Sequence, residues 1–169
     1  MPYLLDANVF IEAKNHHYGL DFCPAFWDWI VEKFDQQCVF SINKVGEELD
    51  EIQDELATWA SGLAPGFFLD EQETLPTSLK KLSAWATAYT WHPGKRYRAS
   101  AVAKFLASPD YYLIAQAHDR GYVVVSSEKY ADAESDVKIP NACKGMGVQI
   151  MKPYEMLRAE NARFVLPEV

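Results

Sequence analysis

The chain has no CxxC pair and no even set of cysteines; Cys23, Cys38 and Cys143 stand far apart. That leaves no disulfide framework, and the three read as reduced, small core residues of a cytosolic protein. No apolar run approaches membrane-spanning length, and the opening residues carry neither a basic stretch nor a small-residue cleavage site. A cytoplasmic location is therefore expected. Positive charge is scarce, with 16 Lys and Arg against 24 Asp and Glu and a net charge of -8. A general nucleic-acid coat, which binds by neutralising phosphates, is disfavoured. A local basic groove or a metal-mediated site is not. Internal repeats and low-complexity tracts are also lacking. What is present is 169 residues, 49% hydrophobic and 24% charged. That is enough for one sizeable core, so a single domain over residues 1–169 is expected.

Strand-like runs alternate with helical ones. YLLD at residues 3–6, CVFSI at 38–42, YVVVS at 122–126 and VQIM at 148–151 read as short strands. Pro24, followed by Phe26, Ile30 and Phe34 at helical spacing, predicts a helix. NKVGEELDEIQDELATWA at 43–60 places Val45, Leu49, Ile52, Leu56 and Trp59 in alternating four- and three-residue steps, which predicts one amphipathic helix. SGLAPGFFLDEQETLP reads as a loop or short hairpin. TSLKKLSAWATAYTW and RYRASAVAKFLA predict two helices separated by HPGK. Ser108 fits an N-cap, Pro109 a first turn, and Gly121 the end of a helix entering YVVVS. DAESDVKIPNACKGMG has no clear period and reads as a loop, and KPYEMLRAE predicts a last helix. This alternation implies parallel βαβ units. The expected fold is α/β, a three-layer α/β/α sandwich with a central parallel sheet, binding ligands beyond the carboxyl ends of its strands.

One residue sits badly in this pattern. Asp6 lies in YLLDANVFI, amid Tyr3, Leu4, Leu5, Val9, Phe10 and Ile11. An unpaired carboxylate near a core costs several kcal/mol, on the order of a small domain's whole stability, so Asp6 needs a partner. The fold reading places Asp6 at the end of the first strand, Glu48 in the first turns of the helix after the second, and Glu128 just past VVVS. These three can meet at one edge. Asp110 reaches that edge only if its helix runs opposite to the usual crossover, or if the loop before it climbs to the same rim; spacing leaves both open. Each of the last three acids also has a plain structural reading. Asp110 in a first turn gains roughly 0.3–1 kcal/mol from the helix dipole. Glu48 belongs to the solvated run EELDEIQDE, and Glu128 suits a polar turn. His16, His17, His92 and His118 read as structural or exposed.

DANVFI with Asp6, VGEEL with Glu48, PDYYLIAQA with Asp110 and VVVSSE with Ser126 and Glu128 resemble the ordered acidic motifs of PIN-domain ribonucleases. The closest likeness is to the VapC-like toxins of toxin–antitoxin pairs. It runs from Tyr3 to about Ile150 and lies in order and spacing; FCPAFWDWI and VKIPNAC resemble one PIN-like subfamily in particular. It departs where Glu128 stands for the more usual Asp and Ser126 for the common Thr. The resemblance implies a PIN-like domain whose catalytic acids are Asp6, Glu48, Asp110 and Glu128, with Asp110 brought to the acidic rim. It implies Mg²⁺ or Mn²⁺ on Asp6, Asp110 and Glu128, with Asn8 and Ser126 orienting a carboxylate or a water at the metal. Hard cations of this kind take oxygen ligands and relieve the repulsion of crowded carboxylates. Glu128, with a long side chain on a loop, is expected to tolerate exchange for Asp. The resemblance further implies an RNA substrate and a cognate antitoxin protein, and leaves a homodimer open.

Lys80, Lys81, Lys95, Arg96, Arg98 and Lys104 interleave with Trp85, Tyr89, Trp91 and Tyr97. This stretch fits either a phosphate-tracking, base-stacking surface for single-stranded RNA or two helices with solvated lysines and core aromatics. On the first reading Lys95, Arg96, Arg98 and Lys104 bind substrate. A haloacid-dehalogenase-like phosphatase also opens on a strand-end Asp, but its second Asp would stand where this chain has Asn8. A non-catalytic PIN-like binding module is disfavoured by the presence of all four acids, and a structure-specific DNA nuclease of the same superfold by the short chain.

Overall fold

The computed structural model describes residues 1–168. In the first half of the chain, β1 (Tyr3–Leu5) leads into α1 (Ala7–Glu12), then α2 (Pro24–Asp35), β2 (Val39–Ile42), α3 (Asn43–Glu51), α4 (Glu55–Ser61) and β3 (Phe68–Leu69). The middle holds α5 (Pro76–Ala88), a hairpin of β4 (Thr90–His92) and β5 (Lys95–Arg96), and α6 (Ala99–Leu106). The last part runs α7 (Pro109–Arg120), β6 (Val123–Val125), α8 (Ile139–Met146), β7 (Ile150–Met151) and α9 (Pro153–Ala159). Five strands form one parallel sheet in the order β3-β2-β1-β6-β7, and helices cover both faces. The expected three-layer α/β/α sandwich is present.

The centre of the sheet is apolar on both sides, as a parallel sheet between helices requires. Leu4, Leu5, Val39, Ile42, Val124 and Val125 are fully buried. Tyr3 pairs with Val39 and Val123, and Leu5 with Val125, so the strands finish nearly level. Asp6, Ser126 and Lys152 therefore follow the strand ends along one rim.

The orientation of α7 settles how Asp110 reaches that rim. The helix ends at Arg120, turns through Gly121 at φ 69° and enters β6 at Val123. A crossover helix runs antiparallel to the strand that it feeds, so an ordinary one already starts at the carboxyl edge. The reversed helix or climbing loop demanded by the sequence reading is unnecessary. Ser108 occupies the N-cap position, but its hydroxyl donates back to the Phe105 carbonyl at 2.7 Å instead of capping α7.

Four other expectations need correction. The single helix expected over 43–60 is two, α3 and α4. The chain breaks at Gln53, φ 55°, and Asp54 restarts it by accepting from the amides of Leu56 at 2.9 Å and Ala57 at 3.2 Å. Asp54 also pairs with the Lys14 ammonium. Capping chemistry outweighed an apolar period that continued across the break. The 61–76 segment supplies the fifth strand, β3, and HPGK is a hairpin turn with Gly94 at φ 76°. Finally, α8 occupies part of the supposed loop 132–147, with Ile139, Ala142, Cys143 and Met146 buried on one face.

Within α8, Gly145 lies directly against the Trp85 indole of α5, and an added methyl would overlap that ring. Gly145→Ala is expected to cost roughly 1–3 kcal/mol by overpacking. Denaturant unfolding measures it; an unchanged midpoint would mean that α5 and α8 slide freely.

Candidate active site

The acidic rim is built outward from β1. The Asp6 amide donates to the Val125 carbonyl at 3.0 Å, which fixes the residue between the two central strands just before α1 begins. Its side chain is 3% exposed and accepts from the Ser126 hydroxyl at 3.0 Å. Ser126 is held in turn by its own amide, which donates to the Met151 carbonyl at 3.1 Å. Its hydroxyl oxygen accepts from the Glu128 amide at 3.2 Å. One buried hydroxyl thus ties the Asp6 carboxyl to the loop that carries Glu128.

Burial, followed by the charge of Asp110, pushes the Asp6 carboxyl up to about 8, with Glu128 and Glu48 adding to the rise and the Ser126 hydroxyl opposing it. Asp110, in the first turn of α7, is pushed up to about 7 by burial, then by Glu128, Glu48 and Asp136, with Lys138 opposing. Glu48 stands exposed on α3, its carboxyl raised by partial desolvation and by Glu51. The structure thus brings all four sequence-predicted acids into one electrostatic neighbourhood, Asp6 and Asp110 deepest. Asn8 is exposed on the first turn of α1.

Glu128 has a second task that its sequence position does not reveal. Its Oε2 accepts from the Ile139 amide at 2.8 Å, so the side chain caps the start of α8. The expected tolerance for Asp at this position therefore acquires a cost, because a shorter side chain gives up that cap. The backbone around Glu128 is fastened by the Lys152 ammonium, which donates to the Ser127 carbonyl at 2.9 Å and to the Glu128 carbonyl.

Two residues at the rim escaped the sequence reading. Asp136 and Lys138 form an ion pair at 2.6 Å, and both act on Asp110. They come from the aperiodic run before α8, where the only available signal was DAESD, an acidic patch without placement. Lys138 is a cation facing the cluster, its ammonium held charged first by Asp136 and then by Glu128 and Asp110. Lys138→Met is therefore expected to lower the metal-free melting temperature by roughly 2–4 °C, for about 1 kcal/mol, with recovery in Mg²⁺. Thermal scans in chelator and in Mg²⁺ check it; equal melting in chelator would remove Lys138 from the charge balance.

Behind the acids, Cys143 is fully buried, and burial first, with the acids' charges adding, pushes its thiol up to about 12. It is a packing residue, not a nucleophile.

The oxygen-only donor set has the chemistry of a hard-cation site. Among the described residues, however, no three His, Cys, Asp or Glu side chains stand close enough together to hold a metal ion by themselves. Magnesium fits such a rim nonetheless, because it keeps several waters and takes one or two carboxylates together with substrate oxygens. Asp6, held by Ser126, and Asp110, whose charge acts most strongly on it, are the pair placed for direct contact.

The basic and aromatic stretch divides. Tyr97 is 4% exposed, and Trp85, Tyr89 and Trp91 pack on it and on each other, with ring centroids 5.1 to 5.9 Å apart. Tyr89 also reaches across to Tyr130 at 3.1 Å and Asp132 at 3.2 Å, securing the segment after Glu128. These aromatics are a satellite core. Lys95, Arg96, Arg98 and Lys104 are exposed, with Lys95 paired to Glu134 at 3.3 Å.

A family model described as "Domain of unknown function (DUF4411)" matches residues 3–164. The chain belongs to this family. The DUF4411 match takes in every strand of the sheet and all the rim acids. No curated protein and no solved structure matches the chain.

Proposed function

We propose that this chain is a metal-dependent endoribonuclease of the PIN type, hydrolysing RNA phosphodiester bonds with Mg²⁺ or Mn²⁺ bound directly by Asp6 and Asp110 and reached by Glu128 through the cation's waters. The observation that carries this reading is a fully buried carboxyl, Asp6, at the carboxyl edge of the sheet, with the half-buried Asp110 near enough for its charge to push the Asp6 carboxyl up. Such a pair is costly to a fold by itself and is relieved by a cation. When bound, the cation supplies Lewis-acid stabilisation of charge on the phosphodiester and a more acidic water.

The chain's own residues do the rest. Asp6 is immobilised by β1 and by Ser126, which fixes ligand geometry. Glu48, exposed at the rim with its carboxyl raised, takes the proton from the attacking water. The water oxygen bonds to phosphorus and one bridging P–O bond breaks; the leaving oxygen takes a proton from solvent, to which Glu48 gives up the one it accepted. Lys95, Arg96, Arg98 and Lys104 bind flanking phosphates from the exposed face of the hairpin and α6.

The toxin role in a toxin–antitoxin pair, and the cytoplasmic location that goes with it, extend this proposal on the strength of the motif resemblance. A cognate antitoxin would inhibit by covering the rim or by placing a basic side chain in it. Expression without that partner should arrest growth; harmless expression with active ribonuclease in the lysate would remove the toxin role alone. No helix among the described residues is long and apolar enough to cross a membrane. The test of the central proposal is Mg²⁺-dependent cleavage of a mixed RNA pool by the native chain compared with Asp6→Asn.

A further inference from the structure

A cavity of about 290 Å³ lies where the chain leaves β1 and β6, between α1, Ser127 and the start of α9. Tyr18, Phe26 and Tyr154 line it together with the polar groups of Glu12, His17 and Lys152. Val9, in the helix that starts just after Asp6, and Ser127, next to Glu128, form its inner wall. A second cavity, about 320 Å³, holds Ser126 and Glu128 and shares Lys152 with the first. The two concavities share Lys152, and of the rim acids Glu128 lines the second.

The aromatic wall is set before any ligand arrives. Tyr18 and Phe26 stack at 4.5 Å between centroids with 13° between planes, and Phe164 braces both edge-on. The Trp27 indole nitrogen donates to the Tyr18 carbonyl at 2.6 Å. At the mouth Tyr154 is 52% exposed, with the Arg158 guanidinium 5.2 Å over its ring. The volume lies at the small end for a ligand pocket, suited to one planar ring system. Glu12 offers an acceptor, Lys152 a donor, and His17 either, which is what reading a heteroaromatic edge requires. His17 is exposed, as the sequence predicts, and it also lines the cavity.

We propose that this cavity is a nucleobase subsite, taking one base of a single-stranded RNA next to the scissile phosphate. The proposal rests on the ribonuclease reading above. It also meets a need that the charge creates. A chain of net charge -8 draws little from general phosphate attraction, so selective binding has to come from bases stacked on aromatic faces and read at their edges. The satellite aromatics around Tyr97 are packed among themselves, whereas Tyr154 presents a half-exposed ring at the cavity mouth, with Arg158 over the ring.

Titration of the native chain in chelator with each nucleoside 5′-monophosphate, followed by NMR, tests it. One or two of the four should shift the ring resonances of Tyr18, Phe26 and Tyr154 and bind several-fold tighter than the others. Tyr154→Ala and His17→Ala, both at exposed side chains, should each weaken that binding about ten-fold. In Mg²⁺, the ends of a cleaved random RNA pool should show a base bias at one position beside the cut, which Tyr154→Ala flattens. Failure of every mononucleotide to shift a cavity resonance at millimolar concentration overturns the proposal. So does equal occupancy by leucine amide, or an identical bias in native and Tyr154→Ala protein. If the native chain cuts no RNA while a mononucleotide still fills the cavity, the ribonuclease reading falls and the subsite assignment stands.

Discussion

Metal-free protein should be more stable at pH 5 than at pH 8, by a few kcal/mol, and Mg²⁺ should remove most of the difference. Asp6 and Asp110 carry folded-state values of about 8 and about 7, against the usual 3.8 in an unfolded chain. Between pH 4 and 8 the folded state thus holds protons that the unfolded state has released. Where the folded state binds more protons, stability falls as pH rises. The advantage is fully present below about pH 4 and is lost as pH climbs through 7 and 8. A tenfold change in proton affinity between the two states is worth roughly 1.4 kcal/mol, and the two groups share their repulsion. On the order of a few kcal/mol, or roughly 10 °C in melting temperature, is therefore the expected span. Asp6→Asn removes the larger contributor, and should raise the pH 8 melting temperature in chelator and flatten the curve. A cation bound only by the folded state adds stability at the high-pH end, where both acids are charged. Thermal scans from pH 5 to 8, in chelator and in Mg²⁺, measure all three effects. Equal melting at both ends in chelator would mean that the two carboxyls are not buried together.

The fold and the first acid were legible because the strands are short, continuous apolar runs, and a carboxylate among Leu4, Leu5, Val9 and Phe10 has few innocent explanations. What failed was local. The apolar period through Ile52 ran on past the point where Asp54 captures two amides, so the pattern could not show the break. Strand β3 is two residues long and is set by its pairing with Ser41 and Ile42, a contact invisible along the chain. The buried face of α8 does have helical spacing, but over eight residues with polar neighbours it looked like a loop. That omission hid Asp136 and Lys138, whose place at the rim depends on α8 being there to bend the chain back. The cap made by Glu128 was hidden for the same reason. Pairings across the chain decide these features, and spacing along it carries no record of them.

Cleavage should depend on the rim acids in a graded order set by burial and attachment. Asp6→Asn and Asp110→Asn are each expected to lower Mg²⁺-dependent cleavage by roughly 10²–10³-fold, since each removes a charge from the place where the cation and the phosphodiester charge must be balanced. The fold should survive, because both changes relieve a carboxyl that burial already disfavours. Ser126→Ala leaves the acids in place but frees the Asp6 carboxyl, whose hydroxyl partner stands 3.0 Å away, so a smaller loss of about 10–100-fold is expected. Glu128→Asp separates two roles. It retains the charge and withdraws from the Ile139 amide, so α8 should loosen by about 1 kcal/mol while part of the cleavage remains. Rates per folded molecule on one RNA, with unfolding curves on the same preparations, distinguish these outcomes. Undiminished cleavage by both folded Asp6→Asn and folded Asp110→Asn would make the two structural acids and end the assignment of the rim as a nuclease centre. An inactive but folded Asp110→Asn beside an active Asp6→Asn would instead move the cation to Asp110 and Glu128, on the α8 side of the rim.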